Sequence, residues 1–308
     1  MSTATDLEPS AVSGHVAVAV AVNAYVVVNV NVNVNVNERQ RPRQRAGAPR
    51  NRDVGDRERW ARRAGEARAL SYGMRVLLLQ VGHTFEEIAQ ERGDYDSWFR
   101  EGLGLSEREL SVVRVYAGAP IPGSFDHDGV VVTGSWSMVT DREPWSEACA
   151  EYLRQAVLLQ RPVLGVCYGH QLLAHALGGL VGYNPNGRNA GSTEVELTSE
   201  AASDSLLGAF ASPMIVQVSH SQSVLQLPAE AVLLGRCERD PNAAFRIGAN
   251  AWGVQFHPEF SAEVSRRYIQ MRHATILAEG LDPDALIANV KDSPHGQQLL
   301  ARFRELLL

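Results

Sequence analysis

Two short segments of the chain combine residue types that could cleave an amide. The first, Gly165-Val166-Cys167-Tyr168-Gly169-His170-Gln171, sets a cysteine between two glycines. The second, Gly253-Val254-Gln255-Phe256-His257-Pro258-Glu259, places a histidine ninety residues after that cysteine, with a glutamate close behind. A thiolate is a strong nucleophile, an imidazole can activate it, and a carboxylate can hold the imidazole in one tautomer. The pattern predicts a cysteine hydrolase that uses Cys167, His257 and Glu259.

The elements predicted around Cys167 should place it on a sharp turn. Residues 161–166 form a short apolar, β-branched run typical of a buried strand, and residues 171–177 have a helical pattern that ends at a pair of glycines. Gly165 and Gly169 would let the flanking backbone approach closely. We therefore expect Cys167 to be presented rather than buried, with its thiolate stabilised by the helix N-terminus.

The two motifs resemble those of the class I (triad) glutamine amidotransferases, especially stand-alone proteins similar to the amidotransferase domain of GMP synthetase. The resemblance covers roughly residues 74–273. It implies that Cys167 attacks the side-chain amide of glutamine, forms a γ-glutamyl thioester and releases ammonia, after which water frees glutamate. It also implies that His257 is the general base and acid, that Glu259 orients it, and that no cofactor is needed.

The resemblance extends to the loop after a third apolar run, Gly129-Val130-Val131-Val132-Thr133-Gly134-Ser135. In the family this loop donates a backbone N–H to the tetrahedral oxyanion, which implies Gly134 and Tyr168 as the oxyanion pair. Ser135 and Trp136 stand where the commoner pattern has Gly and Pro. That departure places the chain nearer the peptidase-like and stand-alone members.

Two further segments resemble walls of the family's glutamine pocket, and each lacks an acidic residue. In residues 218–224, which resemble a Ser-His-x-Asp-x-Val stretch, Gln222 replaces the Asp. In residues 184–192, Asn189 stands where an acidic residue is common. Both changes remove a carboxylate that could pair with the α-amino group of a free amino acid. The predicted substrate-binding residues are Ser135, Gln171, His220 and Gln222; His220 fits an ordinary loop histidine equally well, and Gln171 is expected to bond main-chain groups of the substrate.

Composition limits the compartment and the partners. The 308 residues include only three cysteines, Cys149, Cys167 and Cys237, which favours a reducing, cytoplasmic location. The sequence has no C-x-x-C spacing, no G-x-x-x-x-G-K-[ST] loop and no Ser-Gly-Gly-x-Asp-Ser loop. We therefore expect no metal site and no ATP-driven synthetase module in this chain, so an ammonia-accepting synthetase would be a separate protein.

Residues 1–73 differ in kind from the rest of the chain. Residues 9–37 carry no Asp, Glu, Lys or Arg and include an Asn-Val repeat, and residues 38–68 hold eleven Arg against five acidic residues. The interleaved Asn residues argue against a membrane span, and the acidic start argues against a signal peptide. We interpret this stretch as a disordered extension. A basic nucleic-acid arm and a segment that is not normally translated are the alternatives, since Met74 directly precedes the first core strand.

The remainder of the chain is acidic, so we do not expect it to bind nucleic acid. Strand-like runs alternate with helical stretches from residue 74 onward, which predicts one α/β domain over residues 74–308: a doubly wound, mostly parallel sheet with helices on both faces. The resemblance implies a flavodoxin-like fold. Closely spaced later runs predict an antiparallel extension. The chain should end in helices, the first over about residues 262–278, with a helical tail from about residue 279. The site should lie beyond the carboxyl ends of the parallel strands.

Two classes of function remain open. One is an amide-cleaving enzyme, acting either as a glutaminase that passes ammonia to a partner or as a γ-glutamyl peptidase or hydrolase. The other is a non-catalytic regulatory protein on the same fold. The intact set of Cys167, His257 and Glu259 favours the enzyme.

Overall fold

The structure is a computed structural model, and it describes residues 73–308. The expected extension at residues 1–73, with its Asn-Val repeat and its Arg-rich stretch, lies outside the described residues apart from Gly73. No helix within the described part of the chain is long and apolar enough to cross a bilayer.

The described residues form eleven strands and eight α-helices. The strands are β1 (Val76–Gln80), β2 (Leu110–Arg114), β3 (Gly129–Val132), β4 (Val163–Val166), β5 (Leu180–Tyr183), β6 (Asn189–Leu197), β7 (Met214–His220), β8 (Gln222–Gln226), β9 (Ala231–Arg236), β10 (Ala244–Ile247) and β11 (Ala251–Val254). The helices are α1 (Glu86–Arg92), α2 (Tyr95–Gly102), α3 (Pro144–Leu158), α4 (Tyr168–Ala176), α5 (Ala262–Met271), α6 (His273–Ala278), α7 (Pro283–Ala288) and α8 (Pro294–Glu305).

Nine strands form one sheet in the order β2-β1-β3-β4-β11-β10-β9-β6-β7, and β5 pairs with β8 in a separate two-stranded sheet. The first five strands of the large sheet run parallel, and the remaining pairings are antiparallel. This arrangement confirms the predicted α/β fold with a parallel core and an antiparallel extension. Because β4 and β11 are parallel neighbours, the segments that follow them emerge at the same edge of the sheet.

Both faces of the parallel strands are covered. Every residue of β1 is buried, with Val76 and Leu78 in one hydrophobic cluster and Leu77 and Leu79 in another, as the alternation of side chains along a strand requires. Helices α2, α5 and α8 contribute to the first cluster, and α3 and α4 to the second. The sheet is therefore the middle layer of three.

Two details differ from the sequence expectations. The single helix expected over residues 262–278 is two helices, because the chain breaks at Arg272 and α6 turns to bury Ile276 against the end of α7. The small β5–β8 sheet was not expected, since β5 is short, contains a glycine and has no fully buried residue. The tail beyond residue 279 packs on the domain, with Phe303 fully buried in the main core.

Candidate active site

Cys167 occupies a strained turn between β4 and α4. Its backbone has φ 51° and ψ −99°, a region that residues with a Cβ rarely adopt. The turn is tight because both glycines around it are in close contact: a Cβ on Gly165 would lie 2.4 Å from the carbonyl oxygen of Gly169, and one on Gly169 would lie 2.5 Å from that of Val132. The strand, the turn and the helix therefore fix the direction of the Cys167 side chain.

The expectation that Cys167 is presented rather than buried was wrong. Only 5% of the residue is exposed. It lies at the bottom of a pocket, because the loop after β3 and the turn between β7 and β8 stand around the start of α4. A small molecule would have to enter this pocket to reach the sulfur atom.

His257 and Glu259 follow β11 and are brought next to the turn at Cys167 by the pairing of β11 with β4. The Nδ1 atom of His257 lies 2.7 Å from Oε1 of Glu259, and both side chains are almost completely buried. The ring of Phe260 stacks on the imidazole at 4.1 Å between centroids. Because Nδ1 is held by the carboxylate, Nε2 is the nitrogen left to interact with Cys167.

The electrostatics of this group favour a protonated imidazole. Burial alone would lower the pKa of His257, but the Glu259 carboxylate and the Cys167 side chain, which is close enough to hydrogen-bond to the ring, raise that pKa to about 10. An imidazolium beside the sulfur is the partner that a thiolate nucleophile needs.

Gly134 lies against the imidazole of His257, and Tyr168 directly follows Cys167. Gly134 is so close to the imidazole that a Cβ there would lie 2.9 Å from Cε1 of His257. Tyr168 is the first residue of α4, where backbone N–H groups have no partner within the helix. The structure thus brings both predicted oxyanion residues to the place where the sulfur and the imidazole meet.

The pocket above Cys167 has a cavity volume of about 30 Å³. All four predicted substrate-binding residues line it. The lining is Ser135, Trp136, Ser137, Met138, Cys167, Tyr168, Gln171, Arg188, Ser219, His220, Ser221, Gln222 and Arg272. Residues from the Cys167 motif, from the loop after β3 and from the two wall segments therefore converge on one cavity.

Gln171 and Gln222 hold the pocket together. Nε2 of Gln171 donates to the backbone carbonyl of Gln222 at 2.7 Å and to Oε1 of Gln255 at 3.1 Å. Nε2 of Gln222 donates to Oγ1 of Thr140 at 2.6 Å, and its buried Oε1 has no partner within the described part of the chain. The amide nitrogens are thus committed to the protein, and the side-chain oxygens are the atoms left for a ligand.

Sequence reasoning missed Asp240, on the turn between β9 and β10. This buried carboxylate accepts hydrogen bonds from His220 at 2.6 Å and Asn189 at 3.3 Å, and from Ser223. Burial would raise the pKa of Asp240, but these hydrogen bonds and the nearby His220 ring lower it overall. A carboxylate therefore lies behind the pocket wall, although Gln222 and Asn189 carry none; no local sequence signal points to it.

Two arginines in the pocket were also missed. Arg188 precedes β6 and Arg272 lies at the junction of α5 and α6, so the sequence gives no sign that they meet. The guanidinium of Arg272 lies 4.2 Å from the centre of the Trp136 ring. No group of three or more His, Cys, Asp or Glu residues suited to a metal ion occurs among residues 73–308.

Comparisons with known proteins identify the family and the fold. Residues 93–274 match the profile of the family described as glutamine amidotransferase class-I. A putative glutamine amidotransferase-like protein of Salmonella typhimurium is 31% identical over 198 residues, which cover 62% of this chain and 80% of that protein. A crystal structure of a glutamine amidotransferase from Thermotoga maritima superposes with a TM-score of 0.60 at 23% identity, covering 77% of this chain and 98% of that one.

Two other relatives carry more specific descriptions. A glutamine-hydrolyzing GMP synthase of Aeropyrum pernix is 40% identical over 131 residues, covering 42% of this chain but only 24% of the synthase. Gamma-glutamyl peptidase 3 of Arabidopsis thaliana is 28% identical over 187 residues, covering 58% of this chain and 74% of the peptidase. The chain therefore spans about a quarter of the synthase and most of the peptidase.

Proposed function

Because this chain belongs to the class-I glutamine amidotransferase family, we propose that it hydrolyses the γ-amide of glutamine through a thioester on Cys167. The observation that carries the proposal is the buried contact between His257 and Glu259 beside the strained turn at Cys167. In this proposal Cys167 is the nucleophile, His257 the general base and acid, and Glu259 the residue that orients the imidazole.

The reaction would proceed in two steps, formation and hydrolysis of the thioester. The Cys167 sulfur bonds to the amide carbon, His257 passes a proton to the leaving nitrogen, and the C–N bond breaks to release ammonia and leave a γ-glutamyl thioester. Water then adds to the thioester carbon, giving one proton to His257. The C–S bond breaks, glutamate leaves, and the sulfur recovers its proton or remains a thiolate paired with the imidazolium.

Gly134 and Tyr168 would donate backbone N–H groups to the oxyanion of each tetrahedral intermediate. The contact of Gly134 with the His257 ring and the place of Tyr168 at the start of α4 support this role. A single donor of this kind typically contributes about 10² to 10³ in rate. Ser135, Gln171, His220 and Gln222 would border the bound γ-glutamyl group, as their place in the pocket lining suggests.

A γ-glutamyl peptidase is the second candidate. The likeness to the Arabidopsis peptidase over most of its length favours it. In the first candidate the ammonia would pass to a separate synthetase. In both, three free thiols suit the reducing environment of the cytoplasm.

The test is to incubate the purified protein with glutamine and with γ-glutamyl dipeptides and to measure ammonia, glutamate and released amino acid. A glutamine-shaped electrophile such as 6-diazo-5-oxo-norleucine should alkylate Cys167 and abolish turnover. Cys149 is the internal control, because burial raises the pKa of its thiol to about 12 and it should stay unlabelled.

The matched variants are Cys167→Ala and Cys149→Ala. Cys167→Ala should lose both turnover and labelling while its circular dichroism and thermal unfolding stay close to those of the wild type. Cys149→Ala should keep labelling at Cys167. Unchanged turnover in Cys167→Ala would refute the proposed mechanism, and a folded wild type that cleaves no γ-glutamyl amide would favour the regulatory alternative.

A further inference from the structure

The substrate pocket has an uneven charge. Two arginines, Arg188 and Arg272, are among the residues that line it within the described part of the chain, and no Asp or Glu is. The Asp240 carboxylate, which lies behind the pocket wall, already accepts hydrogen bonds from His220, Asn189 and Ser223. A ligand in this pocket therefore meets positive charge directly and negative charge only indirectly.

Arg188 is already paired. Its Nε donates to Oε2 of Glu279 at 2.6 Å and its NH2 group donates to Oε1 at 2.8 Å, a bidentate arrangement. The Arg188 side chain is only 7% exposed, whereas that of Glu279 is 37% exposed. Arg188 contributes little unsatisfied charge to the pocket.

Arg272 is different. Within residues 73–308 no carboxylate oxygen lies within 4.0 Å of its guanidinium nitrogens, and its buried Nε has no hydrogen-bond partner. The guanidinium lies over the Trp136 ring at a distance suited to a cation–π contact, and Trp136 itself packs on Phe85 and Tyr268. Stacking holds the cation in place while leaving its N–H donors available.

A half-buried guanidinium with free donors is suited to one class of group. Planar, paired N–H donors match the two oxygens of a carboxylate, and burial strengthens that pairing. Every γ-glutamyl compound with an amino-acid leaving group carries two such carboxylates, one on the α-carbon and one on the leaving group. Free glutamine carries only the first.

We propose that Arg272, supported by Trp136, binds a carboxylate of the γ-glutamyl substrate and so determines which γ-glutamyl amides the pocket accepts. The proposal rests on the proposed function, because it assigns a substrate class to the same pocket. Arg272 would be a specificity residue that touches the substrate away from the scissile bond. The carboxylate is either that of the α-carbon or that of the leaving amino acid, and the two are separated by experiment.

The experiment compares two pairs of substrates that differ in one carboxylate each. Glutamine and its α-carboxamide test the α-carboxylate, and γ-glutamylglycine and γ-glutamylglycinamide test that of the leaving group. In the wild type, the carboxylate member of at least one pair should have a kcat/KM larger by roughly 10- to 100-fold, as expected for a charge-assisted hydrogen bond. The pair that shows the difference identifies the carboxylate.

Variants then assign the preference to Arg272. Arg272→Gln should lose the preference, chiefly through a higher KM for the carboxylate member, with the carboxamide member changed less than about threefold. Arg272→Lys should keep part of it, since it retains charge but not the paired donors. Arg267→Gln is the control, because Arg267 lies on the same helix, pairs with Glu91 and does not line the pocket.

The outcomes separate this inference from the proposed function. If the wild type cleaves γ-glutamyl amides with equal kcat/KM for both members of each pair, the role of Arg272 is refuted while the proposed function stands. The role of Arg272 is also refuted, with the proposed function intact, if Arg272→Gln lowers kcat/KM equally for both members of a pair. Should Arg272→Gln fail to fold by circular dichroism, the wild-type ratios and Arg272→Lys decide the question. If the wild type cleaved none of these substrates, the proposed function would be refuted instead.

Discussion

The Nε2 atom of His220 lies 2.6 Å from Oδ2 of Asp240, and both side chains are almost completely buried. His220 ends β7 and lines the pocket, whereas Asp240 lies behind it. The same carboxylate accepts hydrogen bonds from Asn189 at the start of β6 and Ser223 in β8. One buried anion therefore fixes the ends of three strands that form the wall of the pocket.

Replacing Asp240 by Asn should destabilise the protein and weaken substrate binding. The amide places an NH2 group among donors, so buried hydrogen bonds are lost, at a cost of about 2–4 kcal/mol in the free energy of unfolding. We expect a higher KM from the displaced wall. Denaturant unfolding and steady-state kinetics measure the two effects, with the exposed neighbour Glu238→Gln as control. Wild-type stability in Asp240→Asn would contradict the role assigned to the carboxylate.

The two partners of Cys167 should differ in their effect on rate. His257→Ala removes both activation of the thiol and protonation of the leaving group, so kcat/KM should fall by roughly 10²- to 10⁴-fold. Glu259→Gln keeps an oxygen that can accept from Nδ1 and loses only charge and control of the tautomer, so it should be the milder change. Kinetics across pH 6 to 9 check this order. If Glu259→Gln were the more damaging variant throughout, the orienting role would be wrong.

Stability should fall as the solution becomes alkaline. Glu259 and Cys167 raise the pKa of His257 in the folded protein to about 10, from an ordinary value of 6.5. A raised pKa stabilises the fold fully below about pH 6.5, and that contribution is lost as pH rises towards 10. Denaturant unfolding from pH 6 to 10 should show a steeper loss in the wild type than in Glu259→Gln. If stability fell equally with pH in the wild type and in Glu259→Gln, the ion pair between His257 and Glu259 would be contradicted.

Removing residues 1–73 should leave a stable and active protein. Both large hydrophobic clusters and the residues assigned to the site lie within residues 74–308. Thermal unfolding and turnover of the truncated chain, measured beside the full chain, check this expectation. A truncated protein that is insoluble or inactive would show that the first 73 residues belong to the working domain.

The site could be predicted from sequence where its residues are held by local structure. A strand, a cysteine between glycines and a helix specify the turn at Cys167, because Gly165 and Gly169 allow a contact that no larger residue would. His257 and Glu259 are two residues apart, so their contact is also local. That β4 and β11 are parallel neighbours, which brings His257 next to Cys167, was not predicted from the sequence and follows from the tertiary structure.

The tertiary structure determines which residues surround the pocket. Asp240, Arg188 and Arg272 are ordinary polar residues on turns and helix junctions, and their sequence neighbours give no sign of their role. Asp240 reaches His220 only because β9 and β10 pair beside β6 and β7, and Arg272 reaches Trp136 only because the helix after β11 breaks at that residue. The sequence by itself identified the residues to which the chemistry is assigned in the proposal, since that choice depends on residue type and local backbone. What surrounds a substrate depends on contacts between distant segments, and only the packed fold defines those.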